Sequence, residues 1–237
     1  MIAAAAAVLA LLAPAAPVAV ADGADAAPAV PVGAATAPGN AATVPGSAAA
    51  GPVGEGAGPV GEGAVGPSAP IVGGDPFYLD GRRCVVGFNA KTSTGAHRLL
   101  VSGACTGSSR AIDVILPPKG STSTPLVRGP GGTITVRGVR QAPVGAAVCA
   151  SGPTTGWRCG TIQAKNVTIT FPGGTLYGLT RTSICSEPGD HGRPVMAGDQ
   201  AQGITVGGSG NCTSGGTTYF MPLPPTLSAY DLTLHTA

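Results

Sequence analysis

Reactive side chains are sparse in this chain, which holds three histidines and eleven carboxylates in 237 residues. They concentrate between Arg181 and Gly216, where Cys185, Glu187, Asp190, His191, Arg193 and Cys212 surround a tight Gly189-Asp190-His191-Gly192-Arg193-Pro194 turn. An imidazole at such a turn can attack a carbonyl. Against that chemistry, no second base stands beside His191, and its bulk would occupy a cleft. The six cysteines all lie between Cys84 and Cys212, and none forms a Cys-x-x-Cys pair or stands at zinc-ligand spacing from a histidine. That arrangement reads as three disulfides, with fifteen pairings open from sequence alone, and as no metal site. His97, in a turn, and His235, near the carboxyl terminus, read as exposed polar residues.

The elements that must position these groups are strands. Gly 39 and Pro 23, with 10% charged and 4% aromatic residues, point to a turn-rich all-β chain rather than a helical one. The net charge of +2 is scattered, which gives no electrostatic case for nucleic acid. Residues 1–21 are apolar and end in Ala19-Val20-Ala21, a small-x-small pattern that reads as a secretory signal cleaved before Asp22. A membrane-spanning reading is weaker, because Pro14 and Pro17 break the helix and the run is short. Residues 22–70 are Ala, Pro, Gly and Val, with a tandem repeat at Gly51–Ala57 and Gly58–Ala64. Without large side chains to bury they are expected to be a disordered pro-segment or linker.

From Ile71 onward short β-prone runs alternate with turn clusters. Strands are predicted over Cys84–Ala90, Arg98–Ser102, Ala111–Leu116, Thr133–Arg137, Cys159–Phe171, Thr175–Thr182, Pro194–Met196, Gln200–Val206 and Thr217–Met221. A closing helix is predicted over Pro225–Leu232, with proline tolerated in its first turn.

Cys185-Ser186-Glu187-Pro188-Gly189-Asp190-His191-Gly192, followed by the glycine-rich run Gly203 to Cys212, resembles the nucleophile loop and pocket wall of the streptogrisin and alpha-lytic serine proteases. These are secreted bacterial enzymes with the chymotrypsin fold. The hairpin Val148 to Gly160 and the start Ile71-Val72-Gly73-Gly74 carry the same resemblance, which covers roughly Ile71 to Leu234. It implies an all-β double barrel with a short C-terminal helix. The first barrel spans 71–142 and the second, with the helix, 143–237. It also implies the pairs Cys84–Cys105, Cys149–Cys159 and Cys185–Cys212. Only a handful of residues separate Cys105 from Asp113 where the family has a few dozen. The first barrel is therefore expected to be shortened or open-edged. Trp157, on the hairpin, is expected to pack rather than to bind.

The family's chemistry needs a serine hydroxyl, a histidine base, an orienting aspartate and two N–H groups aimed at an oxyanion. By resemblance, Ala104 stands at the histidine position in Val101-Ser102-Gly103-Ala104-Cys105, His191 at the serine position, and Asp113 at the aspartate position. Val206 replaces a serine that hydrogen-bonds the aspartate. What the resemblance retains is backbone: an oxyanion hole at Gly189 and His191, and a peptide-pairing wall at Val206, Gly207, Gly208 and Ser209. Asp190 matches a buried acid paired with a cation, for which the Ile71 amine, Arg82, Arg83 and Arg193 are the possible partners. With Asp190 and Asp113 so occupied, a metal held with His191 is not expected, nor is a cofactor. The hole left at Ala104 suggests that His191 swings across to pair with Asp113.

The resulting expectation is a secreted, monomeric, catalytically inactive protease homologue with a cleft for an extended peptide or protein inhibitor. Two alternatives stand beside it. One is an active peptidase using Ser102 or Ser209, and the other is a decayed copy without function.

Overall fold

The computed structural model describes residues 69–237. The expected signal peptide lies outside the described residues, as does all but the end of the low-complexity segment. Fifteen strands and two short helices follow in order. The N-terminal half contains β1 (Pro70–Gly73), β2 (Pro76–Leu79), β3 (Arg82–Val85), β4 (Phe88–Thr92) and β5 (His97–Ser102). It continues through α1 (Gly103–Thr106), β6 (Ile112–Ile115), β7 (Thr122–Gly129) and β8 (Gly132–Thr135). The C-terminal half contains β9 (Ala147–Gly152), β10 (Gly156–Phe171), β11 (Gly174–Thr182), β12 (Pro194–Ala197), β13 (Gln200–Asn211) and β14 (Gly215–Pro222). Helix α2 (Leu223–Ala229) and β15 (Leu232–Leu234) end the chain.

The C-terminal half closes as a six-stranded barrel in the order β10-β11-β14-β13-β12-β9. The other half is open. It comprises the sheets β1-β7-β8 and β15-β4-β5-β6 and the hairpin β2-β3. Asp80 and Gly81, with φ of 49° and 76°, form the hairpin's two-residue turn, the left-handed pair such tight connections require.

Besides strands β1, β2, β7 and β9, which were not predicted, three local outcomes differ from the sequence expectation. The run Cys84–Ala90 is split into β3 and β4 because its partner changes there. The Val86 N–H donates to Asp75, whereas the Gly87 N–H donates to Leu100. A Cβ at Gly87 would lie 2.5 Å from the Leu100 carbonyl, so this crossover needs glycine. The closing helix runs Leu223–Ala229 rather than Pro225–Leu232, with prolines in its first turn and Pro222 at its N-cap. Leu232 instead opens β15, which pairs with β4 and so crosses back from the C-terminal half to the other.

Apolar strand faces meet in three clusters. Ile71, Phe77, Val86, Leu99 and Val101 fill the N-terminal half, and Val148, Ile162, Ile184, Val195 and Phe220 fill the barrel. Between them Phe88, Leu100, Met196, Ile204 and Leu223 join the halves, with Trp157 packed against this group. Each such side chain contributes roughly 1.5–3 kcal/mol on burial. Disulfides Cys84–Cys105, Cys149–Cys159 and Cys185–Cys212 close separations of 21, 10 and 27 residues. The first ties β3 to α1, and the third ties the entry of the turn at Gly189 to the exit of β13.

Candidate functional site

The turn between β11 and β12 is built around a buried charge. Asp190 and Arg193 are both fully buried, with Arg193 Nη1 3.7 Å from Asp190 Oδ2. Among the four possible cations, Arg193 is the partner. Three backbone N–H groups complete the cage, Thr154 and Thr155 donating to Oδ1 at 3.2 Å and Glu187 to Oδ2 at 3.1 Å. The guanidinium donates onward to the Thr155 hydroxyl at 3.1 Å and the Cys185 carbonyl at 2.9 Å. Burial pulls Arg193 below its ordinary range, and the charge of Asp190 opposes that shift. Gly152 makes room for the pair: a Cβ there would lie 2.5 Å from Asp190 Oδ1 and collide with Arg193 Cδ.

The N–H groups of this turn divide into two sets. Asp190 donates to Glu187 at 3.1 Å, Gly192 to Thr205 at 3.1 Å and Arg193 to the Thr205 hydroxyl at 2.9 Å. Among the described residues, the N–H groups of Gly189 and His191 have no protein acceptor. Gly189 and Gly192 adopt φ of 95° and 86°, values L side chains rarely take, and the turn depends on both.

Strand β5 carries the chain to Ser102, whose Oγ caps α1 by accepting from the Ala104 N–H at 3.4 Å. Helix α1 is pinned flat on the next segment, since a Cβ at Gly103 would overlap the Arg110 carbonyl. Ala104 is exposed on its first turn. Asp113 lies on β6 opposite Val101 and is 7% exposed. Its Oδ2 accepts from Thr106 Oγ1, and Arg110 Nη1 stands 3.5 Å from Oδ1. Burial alone would raise this carboxyl, but the hydroxyls of Ser108 and Thr106 and the Arg110 guanidinium hold it below the usual range. The swing of His191 to Asp113 is not observed: no hydrogen bond or ion pair joins them, and His191 is exposed. Thr106 and Arg110, local to the α1–β6 connection, take that role instead.

Val206, Gly207, Gly208 and Ser209 sit in β13. On one side this stretch pairs with β14, with Gly207 opposite Tyr219 and Ser209 opposite Thr217. On the other side β12 stops at the Pro194–Ile204 pair, so beyond Thr205 that edge carries no strand. A Cβ at Gly207 would lie 2.5 Å from the ring of Phe171, which comes from the tip of the β10–β11 hairpin.

Two concavities flank Ala104. One is lined by Ser102, Ala104, Ser108, Arg110, Phe171 and Val206. The other is lined by Arg82, Arg83, Ser102, Ala104, His191 and Gly192. The structure therefore gathers Ala104, His191 and Val206 around one surface, with Asp113 buried behind it. Sequence reasoning did not anticipate Thr106, Arg110 or Phe171. Only the placement of an aromatic residue at a Phe-Pro-Gly-Gly hairpin tip offered a cue. His235 is half-buried, not exposed as expected. Its Nδ1 is 2.9 Å from Ser123 Oγ, and its ring centroid is 5.6 Å from that of His97.

Comparison with known proteins agrees with this geometry. The trypsin family model matches residues 129–227, which take in the whole closed barrel. Streptogrisin-C of Streptomyces griseus is 47% identical over 191 residues, covering 71% of this chain and 42% of that protein. Serine protease 2 of Streptomyces fradiae is 36% identical over 174 residues, covering 62% of this chain and 100% of the relative. Protease A of Thermobifida fusca, a crystal structure, superposes with a TM-score of 0.67 at 42% identity, covering 71% of this chain and 100% of that one. The chain spans only 42% to 63% of the length of streptogrisins C and A. With its strand order, its turn and these likenesses in agreement, the chain belongs to the streptogrisin-type, chymotrypsin-fold family of bacterial serine proteases.

Proposed function

We propose that this protein is a secreted, catalytically silent member of that family which retains a cleft for an extended peptide. The observation that carries the reading is the contrast between side chains and backbone. Ala104 and His191 stand where a base and a hydroxyl nucleophile would be needed, so no proton acceptor faces a nucleophile. The unpartnered N–H groups of Gly189 and His191, and the unpaired edge of Val206 to Ser209, remain suited to a carbonyl and to an added strand. Loss of the serine or histidine of such a triad costs about a million-fold in turnover, and an oxyanion hole with binding alone leaves about 10³–10⁴ over water.

The two serines available as substitutes are poorly placed. Ser102 is 4% exposed and engaged in capping α1. Ser209 is exposed, but among the described residues no side-chain hydrogen bond joins it to a histidine or carboxylate. Secretion rests on the small-x-small ending of residues 19–21 together with the three disulfides, which an oxidising compartment maintains. Among the described residues no helix is long and apolar enough to cross a membrane. No cofactor or metal enters this reading, and a single chain supplies every residue of the cleft.

The test is covalent labelling by a fluorophosphonate probe together with hydrolysis of a peptide pool, run on the purified oxidised protein and on Ala104→His/His191→Ser. The natural protein is expected to give neither label nor cleavage. Stoichiometric labelling, or turnover that survives Ala substitution of His191, would overturn the reading.

A further inference from the structure

We infer that the cavity between α1 and the turn at Gly189 binds the free C-terminal carboxylate of a peptide, so that the cleft recognises chain ends rather than chain interiors. This deepens the proposed function and rests on it.

The inference starts from unpaired positive charge. Arg82 and Arg83 are adjacent on β3, both exposed and both lining this cavity. Among the described residues neither makes a salt bridge, whereas Arg110, Arg128, Arg137 and Arg193 each do. Their guanidinium groups approach the cavity from different sides. A Cβ placed on Gly189 would be 3.2 Å from Arg83 Nη1, and one on Gly107, at the end of α1, would be 2.8 Å from Arg82 Nη1. Arg83 thus abuts the same turn whose Gly189 and His191 N–H groups lack acceptors. The His191 side chain borders the cavity as well, and no carboxylate lines it. Two guanidinium groups at opposite ends of the cavity, beside a turn with two free N–H groups and with no acid in the lining, suit a planar anion with two oxygens, the shape a guanidinium fork matches.

The neighbouring strand edge identifies which carboxylate. The Gly192 N–H donates to Thr205, so the turn lies at the Val206 end of this edge, and a peptide added antiparallel to Val206–Ser209 would point its C-terminus towards these donors. In a chain that continues, that position is a neutral carbonyl followed by further residues that must pass between Arg82, Arg83 and the His191 imidazole. In a chain that ends there, the second oxygen meets the guanidinium groups. The substitution of His191 for a hydroxyl also crowds the route a longer peptide would take. The shared chemistry is a carboxylate, whose other source would be a Glu or Asp side chain.

The experiment uses the full oxidised protein and three fluorescent peptide pools, randomised at their last two positions. One pool consists of free acids, one of C-terminal amides, and one of amides with Glu fixed at the last position. Binding is read by anisotropy for the natural protein and for Arg83→Ala and Arg82→Ala, with near-ultraviolet circular dichroism confirming the fold. The free acids should bind about 10- to 100-fold tighter than the amides, the worth of one or two charged hydrogen bonds. The acid-to-amide ratio should shrink towards one in Arg83→Ala and Arg82→Ala. Equal binding of acids and amides overturns the carboxylate site but leaves the peptide cleft standing. Preference for the Glu amides overturns it in favour of a side-chain acid. Failure of every pool to bind overturns the cleft itself.

Discussion

Replacing Arg193 by alanine removes the cation from Asp190, a carboxylate with no solvent exposure. Breaking a buried pair from one side costs about 3–5 kcal/mol, because the surviving charge keeps its desolvation penalty. Here three backbone N–H groups still reach the carboxylate, which places the cost near the lower end, about 3 kcal/mol. Two further losses act in the same direction. The Cys185 carbonyl and Thr155 hydroxyl lose their donor, and the largest fully buried side chain of the described residues leaves a void. For a domain of this size 1 kcal/mol corresponds to about 2–4 °C, so Tm should fall by at least about 6–12 °C. Differential scanning calorimetry of the oxidised protein at neutral pH measures this directly. Arg193→Lys keeps the charge but not the fork and should fall between the natural protein and Arg193→Ala. Gly152→Ala, which thrusts a methyl against both partners, should destabilise as well. If Arg193→Ala melts within about 3 °C of the natural protein, about 1 kcal/mol, the pair does not hold the turn and the reasoning fails.

Two further predictions concern acid. Asp113 titrates below its ordinary 3.8 in the folded chain, so it stabilises the fold above that value, and the stabilisation disappears as pH falls through the folded pKa. Thr106→Val should raise that folded pKa and lower stability at pH 7, with the difference from the natural protein shrinking towards pH 2 in urea titrations. His235 is held below its ordinary 6.5 by burial and by the nearby charges of Lys91 and His97. The fold should therefore lose stability as pH drops through about 6.5, where the unfolded chain takes up a proton more readily. His235→Asn should flatten the profile between pH 7 and 5, and an unchanged slope would assign the loss to other groups.

The contrast between what was readable and what was not follows physical range. Glycines and the turn from Gly189 to Pro194 could be placed because their constraint is local, a φ only glycine takes, whereas the cysteine pairs came from the family resemblance and not from their spacing. The barrel strands β10 to β14 were readable from β-prone runs between turn residues. Strand β7 was missed because Pro125 interrupts its pattern, and its place next to β1 is a parallel pairing set by distant contacts. The partner of Asp190 was one of four because no spacing rule favours an i,i+3 pair across a tight turn. The partners of Asp113 were mistaken for the same reason. Thr106 and Arg110 reach it because α1 folds flat against the segment before β6, which is a consequence of packing.

The last strand has a consequence for the order of assembly. Leu234 pairs with Ala90, 234 − 90 = 144 residues earlier, and the His235 N–H donates to the Asn89 carbonyl. Beyond them the Ala237 N–H reaches Val136. The N-terminal half therefore lacks one edge of its four-stranded sheet until β15 has been synthesised. Closing so long a segment is entropically slow, though each doubling of length adds only about 0.6 kcal/mol. The half that is synthesised first thus waits for a strand made after the barrel, and loss of residues 232–237 would leave β4 with an open edge to which other chains could add.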